Sequence, residues 1–248
     1  MEKFNKEVRE ITADRCSGSL HLLNHLLDAC SDFAKRHGNE TPPGTFRDSI
    51  TLIAGSMPQF PVIGHFVKHF AHCFGEWNQL EDCRQFVNAY RRHWIRKGKR
   101  LSEQAERLIL PCGKTILAHS NSSTLHAFFK YAVEQGNEFK VLQTVSYPGE
   151  EGRLQAAFIA ALGVETKLIK DREVPGAMPV VDVAICGADA FTDEEFYNKI
   201  GTENIATACA DSQKPFFVLC DPRKRTVDRM RGNARFEWVN LNLVTAFI

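Results

Sequence analysis

The residues best placed for chemistry fall between positions 187 and 202. Asp189 follows Gly187 by two positions, and Asn198-Lys199 stand just before Gly201-Thr202. A carboxylate accepts hydrogen bonds from sugar hydroxyls, and an ammonium group beside the free amides of a helix start favours phosphate. The set therefore predicts a site for a phosphorylated polyol. A plainer reading has Asp189 capping a short helix, because Thr192 and Glu195 carry capping-box spacing. Ser120-Asn121-Ser122 follow the apolar run Ile116–Ala118 and His119 and lead into a helical pattern, which suits either anion binding or simple capping. Arg15 with Ser17-Gly18-Ser19 has the same form ahead of Leu20. Lys224, after the strand-like Pro215–Cys220, faces either the same crevice or solvent.

These groups need strand ends to gather them. The β-branched run from Val180 to Cys186 reads as a buried strand of the parallel kind, and small ligands bind at the carboxyl ends of strands in open α/β sheets. After Pro111-Cys112-Gly113 strands and helices alternate: Thr115–Ala118, Phe139–Ser146, Glu165–Ile169, Val180–Cys186 and Pro215–Cys220 as strands. Ser123–Gln135, Gly152–Leu162 and Thr202–Ser212 read as helices. Such alternation predicts a parallel sheet covered on both faces. Before residue 110 the spacing is helical, with a loop over residues 38–44, helices at Thr45–Gly55 and Pro61–Phe74, and a long amphipathic segment from Gln79 to Leu110 interrupted at Gly98. The expected fold class is α/β: a helical N-terminal domain over residues 1–110, then a Rossmann-like domain with a mainly parallel sheet over 111–248.

Composition narrows the partners. The 248 residues carry a formal charge of +1, with 44% hydrophobic and 25% charged residues. Such a balance gives no global electrostatic case for nucleic acid or an anionic membrane. The basic run Arg91–Arg100 is followed by Glu103 and Glu106 and reads as a solvated helix face. No apolar run reaches the roughly 18 residues that span a bilayer, and the charged N-terminus lacks a secretory core. Eight cysteines are scattered without a C-x-x-C pair, so neither a zinc module nor a disulfide framework is expected. His65, His69 and His72 share a helical face beside Cys73 without an acidic partner, and they read as a packed or exposed stripe rather than a metal site. The expectation is a cytoplasmic protein with no metal and no cofactor.

The motifs GADAFT and YNKIGT, followed by IATACADSQKPFFV, closely resemble the initiation factor 2B alpha/beta/delta-like superfamily. ILAHSNSSTL and SYPGEEGRLQAAFIAALGVETKLIKD resemble its neighbouring strand–helix units, and the likeness covers about residues 110–225. That superfamily includes regulatory subunits of the exchange factor for initiation factor 2, and methylthioribose-1-phosphate and ribose-1,5-bisphosphate isomerases. The resemblance implies a homodimer formed through the C-terminal domain, and family subunits or a translation factor as further partners. It also implies a proton-transferring Cys–Asp pair, with Asp189 at the aspartate position and Asn198, Lys199 and Lys224 at ligand-contacting positions. Ser120 stands at the cysteine position. No arginine lies in Ala54–Pro58, where the isomerases carry one for phosphate, and the N-terminal signature appears only as Ser17-Gly18-Ser19.

An unperturbed thiol titrates near about 8.5, within reach of acid–base work, whereas an unassisted serine hydroxyl is a far weaker acid. The expectation is therefore a binder of a sugar phosphate or nucleoside monophosphate without the Cys–Asp chemistry. In it Asp189 would accept sugar hydroxyls, while Lys199, Lys224 and the helix starts at Ser122 and Thr202 hold phosphate. The alternative is an aldose–ketose isomerase acting on a phosphorylated pentose, with Cys186 or Cys220 replacing the missing thiol. A third role is assembly in translation.

Overall fold

The computed structural model describes residues 1–14, 18–229 and 234–248. Arg15 and Ser17 lie outside the described residues. The chain divides into two compact units, Met1–Arg96 and Lys97–Ile248. The first holds helices α1 (Glu2–Ala13), α2 (Ser19–His37), α3 (Gly44–Ser56), α4 (Pro61–Phe74) and the start of α5 (Leu80–Ile109). Apolar residues at helical spacing bury a core rich in rings: Phe33 stacks on Phe46 at 4.6 Å, and Phe70 meets Trp77 edge-on at 5.0 Å. Each such side chain contributes about 1.5–3 kcal/mol on burial.

Gly98 does not interrupt α5, which runs unbroken for 30 residues. One glycine costs a helix only about 1 kcal/mol relative to alanine, too little to break a segment this long. The unit boundary thus falls inside a helix, whereas the sequence pattern changes later, at Pro111-Cys112-Gly113. His65 bonds the Tyr90 hydroxyl at 3.0 Å and stacks on His69. Among the described residues no cluster suits a metal ion.

The second unit runs β1 (Thr115–His119), α6 (Ser123–Glu134), β2 (Lys140–Thr144), α7 (Gly152–Ala161), β3 (Glu165–Ile169), α8 (Val174–Ala177) and β4 (Val183–Gly187). There follow β5 (Ala190–Phe191), β6 (Glu195–Lys199), α9 (Thr202–Asp211), β7 (Phe216–Leu219), β8 (Phe236–Asn240) and β9 (Ala246–Phe247). Six strands form a parallel sheet in the order β3-β2-β1-β4-β7-β9. Alternate residues serve opposite faces. Leu117, Ala184, Cys186 and Val218 pack with Ile205 and Cys209 of α9, while Ile116, Ala118, Val183 and Ile185 pack with Leu125 and Phe128 of α6. Burial of both faces explains why these strands read as continuous apolar runs.

Two expectations are corrected. The strand expected from Val180 begins at Val183; Met178–Val180 is a 3₁₀ turn and Val180 is exposed. Thr192 and Glu195 do not start a helix. Thr192 N–H donates to Glu195 O at 2.8 Å, and its hydroxyl accepts from Glu194 and Glu195 N–H. They close a hairpin in a second, antiparallel sheet, β5-β6-β8, which the sequence reading did not contain. Strands of two to five residues, with β8 distant in sequence, leave too short a pattern to read.

Candidate functional site

The strand order reverses between β1 and β4, since β1 leads outward to β2 and β3 while β4 leads to β7 and β9. Crevices beyond such a switch point are where open α/β sheets bind ligands. The two strands pair with His119 opposite Cys186, so the loops after them rise side by side. They touch: a Cβ on Gly187 would lie under 3.0 Å from the Ser122 side chain, and glycine there is a requirement of close approach.

Three non-glycine residues around the crevice have left-handed backbone, Ser120 (φ 64°), Ser146 (φ 67°) and Glu150 (φ 54°). Such conformations persist where surroundings over-determine them. Ser120 is fixed on both sides, its N–H donating to Ser146 Oγ at 2.8 Å and its carbonyl accepting from Gln143 Nε2 at 3.1 Å. Gln155 Nε2 donates to Gln143 Oε1 at 2.8 Å, and Gln155 Oε1 accepts from Ser122 N–H at 2.9 Å. Two fully buried glutamines, one on β2 and one on α7, therefore hold the Ser120–Ser122 loop in place. A lone glutamine inside an apolar strand and another on an apolar helix face were the overlooked signals.

His119 forms the floor. Its Nε2 donates to Ile200 O at 3.2 Å, so Nδ1 is the acceptor, facing the Thr144 hydroxyl at 2.7 Å. Burial lowers the imidazole below its ordinary value, and nearby Asp171 only partly opposes this. The ring stays neutral and ties β1 to the β6–α9 loop, where Gly201 (φ 98°) packs against it. Asp171 in turn accepts from the N–H groups of Ser146 and Tyr147, both at 3.0 Å.

Lys199 emerges at the end of β6 with its side chain 2% exposed. Its Nζ lies 3.0 Å and 3.2 Å from the two carboxylate oxygens of Glu151, which also accepts from Ser120 Oγ at 3.3 Å. Glu151 precedes α7 and its side chain is 24% exposed. The sequence reading had not singled it out, since one acid among Gly149-Glu150-Glu151-Gly152 carries no distinguishing local pattern. Lys224 is held by a 2.6 Å bond to Ala188 O and lies 3.7 Å from Asp189. The turn bearing it is closed by Asp221, which accepts from Arg223 N–H and Nε, both at 2.9 Å.

Ser120 and Lys199 thus meet at Glu151, Ser120 in the loop that continues through Asn121 and Ser122, and Asp189 and Lys224 form a second pair after β4 and β7. Asn121 Oδ1 is a buried acceptor without a partner among the described residues. Other expected ligand groups serve the fold. Asn198 Nδ2 donates to Thr202 Oγ1 at 3.0 Å, Thr202 is fully buried, and Glu203 N–H at the start of α9 is taken by Glu237 at 2.9 Å. Gly18 and Ser19 open α2 in the first unit, where Gly18 O accepts from the N–H groups of His21 and Leu22. Cys186 and Cys220 are buried in the apolar cluster under α9. Burial raises both thiols, Cys220 to about 12, which works against thiolate formation at either near neutral pH.

The chain is 27% identical over 232 residues to ribose 1,5-bisphosphate isomerase of Archaeoglobus fulgidus, covering 90% of this chain and 72% of that one. It is 34% identical over 113 residues to the enzyme of the same name from Methanocaldococcus jannaschii, covering 45% of this chain and 37% of the relative. The fold matches translation initiation factor eIF-2B of Pyrococcus horikoshii with a TM-score of 0.82 at 24% identity, over 100% and 95% of the two chains. It also matches 5-methylthioribose 1-phosphate isomerase of that organism, with a TM-score of 0.72 at 16% identity, over 99% and 82%. The model of the initiation factor 2 subunit family matches residues 59–233, and the chain belongs to that family.

Proposed function

We propose that the crevice beyond β1 and β4 binds a sugar phosphate or nucleoside monophosphate. The observation that carries this is a pair of buried lysines at strand ends, each beside a partly exposed carboxylate, Lys199 with Glu151 and Lys224 with Asp189. Sugar hydroxyls suit Asp189, and the N–H groups opening α6 beside Ser120 and Asn121 suit phosphate. Titration calorimetry with ribose 1,5-bisphosphate and with adenosine monophosphate tests this against inorganic phosphate. Saturable heat with either organic ligand supports the reading, and no heat with both at millimolar concentration removes it.

A second reading, isomerisation of a phosphorylated pentose, is favoured by the names of the two relatives. Ser120 in place of a thiol argues against the Cys–Asp route, though not against other proton-transfer groups. Detection of a ketose product that disappears in Asp189→Asn decides for it. The exposed side chain of Leu154 with Ala157 and Ala161 gives α7 an apolar outer face that suits a homodimer through this unit. Light scattering that returns the monomer mass at micromolar concentration rejects that arrangement. Free thiols at the described cysteines suit a reducing, cytoplasmic setting.

A further inference from the structure

The corner formed by Lys199, Glu151 and Ser120 selects what part of a ligand it can face. An ammonium group has three N–H donors, and the two Glu151 oxygens occupy at most two. At least one donor is left for a ligand oxygen. A phosphate brought to Lys199 would meet the Glu151 carboxylate as a like charge, whereas a hydroxyl or ring oxygen meets no such penalty. The corner therefore matches the hydroxyl and ring-oxygen side of a sugar phosphate rather than its phosphate groups. Gly149 shapes it, since a Cβ there would lie under 3.0 Å from the Glu151 carboxylate.

We infer that Glu151 and Lys199 are a proton-transfer pair for sugar-phosphate isomerisation, taking the place of the absent thiol. The inference rests on the isomerase reading above. With ribose 1,5-bisphosphate, Glu151 takes the proton from C2 and the C2–H electron pair becomes the C1=C2 bond. The ring C1–O4 bond breaks as O4 takes a proton from the Lys199 ammonium. The C2 hydroxyl then returns a proton to the Lys199 amine, its electrons forming C2=O, and the C1=C2 pair takes the proton held by Glu151 to form C1–H. C2 is oxidised and C1 reduced by two electrons each, and the two side chains finish in their starting states. No outside oxidant or reductant is needed.

Turnover of ribose 1,5-bisphosphate in D2O, with product analysed for deuterium at C1, tests this alongside calorimetric binding. The expected results are ketose product carrying deuterium at C1, a Glu151→Gln variant that still binds but turns over about 10²–10⁴-fold more slowly, and partial recovery in Glu151→Asp. A wild-type protein that binds without turnover overturns the proton-transfer pair while leaving the binding site intact. So does Glu151→Gln turning over at the wild-type rate. Should Glu151→Gln not fold, an unchanged rate in Glu151→Asp overturns the pair, because a shortened carboxylate must slow the transfer. Absence of binding removes the crevice reading and the pair with it.

Discussion

Breaking the Lys199–Glu151 pair from its two sides is expected to cost unequal amounts. At about 3 Å and an effective dielectric near 20, the gross attraction is about 5 kcal/mol, and desolvation offsets much of it. The asymmetry comes from exposure. Glu151 has 24% of its side chain exposed and can turn to water when Lys199 is removed; Lys199 has 2% exposed, and Glu151 is its side-chain partner among the described residues. Lys199→Met should therefore cost about 1–2 kcal/mol. Glu151→Leu strands a buried ammonium and should cost about 3–5 kcal/mol. Adding Lys199→Met to Glu151→Leu should then restore about 2 kcal/mol, since no uncompensated charge remains. Two compact units make a single unfolding curve ambiguous, so the readout is deuterium uptake against urea in peptides covering β1 and β4. Equal costs from the two sides, or a double variant that loses the sum of both, would refute the reasoning.

Other expectations concern the groups that shape the crevice. In Gly152→Ala the new Cβ falls under 3.0 Å from the Thr144 backbone carbonyl, which cannot swing aside; a loss above about 3 kcal/mol should appear as faster deuterium uptake in peptides covering β2 and α7, and unchanged uptake contradicts the packing. Burial lowers the His119 imidazole, so on acidification the unfolded chain takes the proton first. Stability from neutral His119 is complete above about pH 6.5 and declines progressively below it, and His119→Gln should flatten that slope in urea titrations run between neutral and mildly acidic pH. Burial raises the Asp221 carboxyl, but Arg223 more than compensates and holds it below its ordinary range. Its contribution is present above about pH 3.9 and is lost as pH falls through the lowered folded value. Asp221→Asn should thus destabilise at neutral pH by about 1–3 kcal/mol, with the difference from wild type narrowing in strong acid.

Much of the second unit was legible because its physics is local and repetitive. Both faces of β1, β4 and β7 are buried, so their apolar runs announce a parallel sheet, and Glu165–Ile169 is a strand at the limits expected for it. Pro61–Phe74 was equally plain, with proline at its start and five apolar residues buried at helical spacing. Asp189 and Lys224 could be found because each follows an apolar run that ends abruptly, and Lys199 because it stands just before Gly201-Thr202 at a helix start. The small sheet was illegible, since β5 has two residues and β8 pairs with β6 from some forty positions away.

The sequence by itself determined the alternation of strands and helices, the strand ends where polar groups collect, and the serine at position 120. Periodicity and residue type act over a few neighbours, and these features need nothing more. Only the tertiary structure decided which polar groups face the crevice and which serve the fold. Asn198 and Thr202 satisfy each other, Glu237 takes an amide at the start of α9, and Cys186 and Cys220 sink into the core. It alone set Glu151 against Lys199 across 48 positions of chain. An ion pair between the start of one helix and the end of a strand leaves no mark on the pattern around either residue, because its energy depends on distance and burial rather than on spacing.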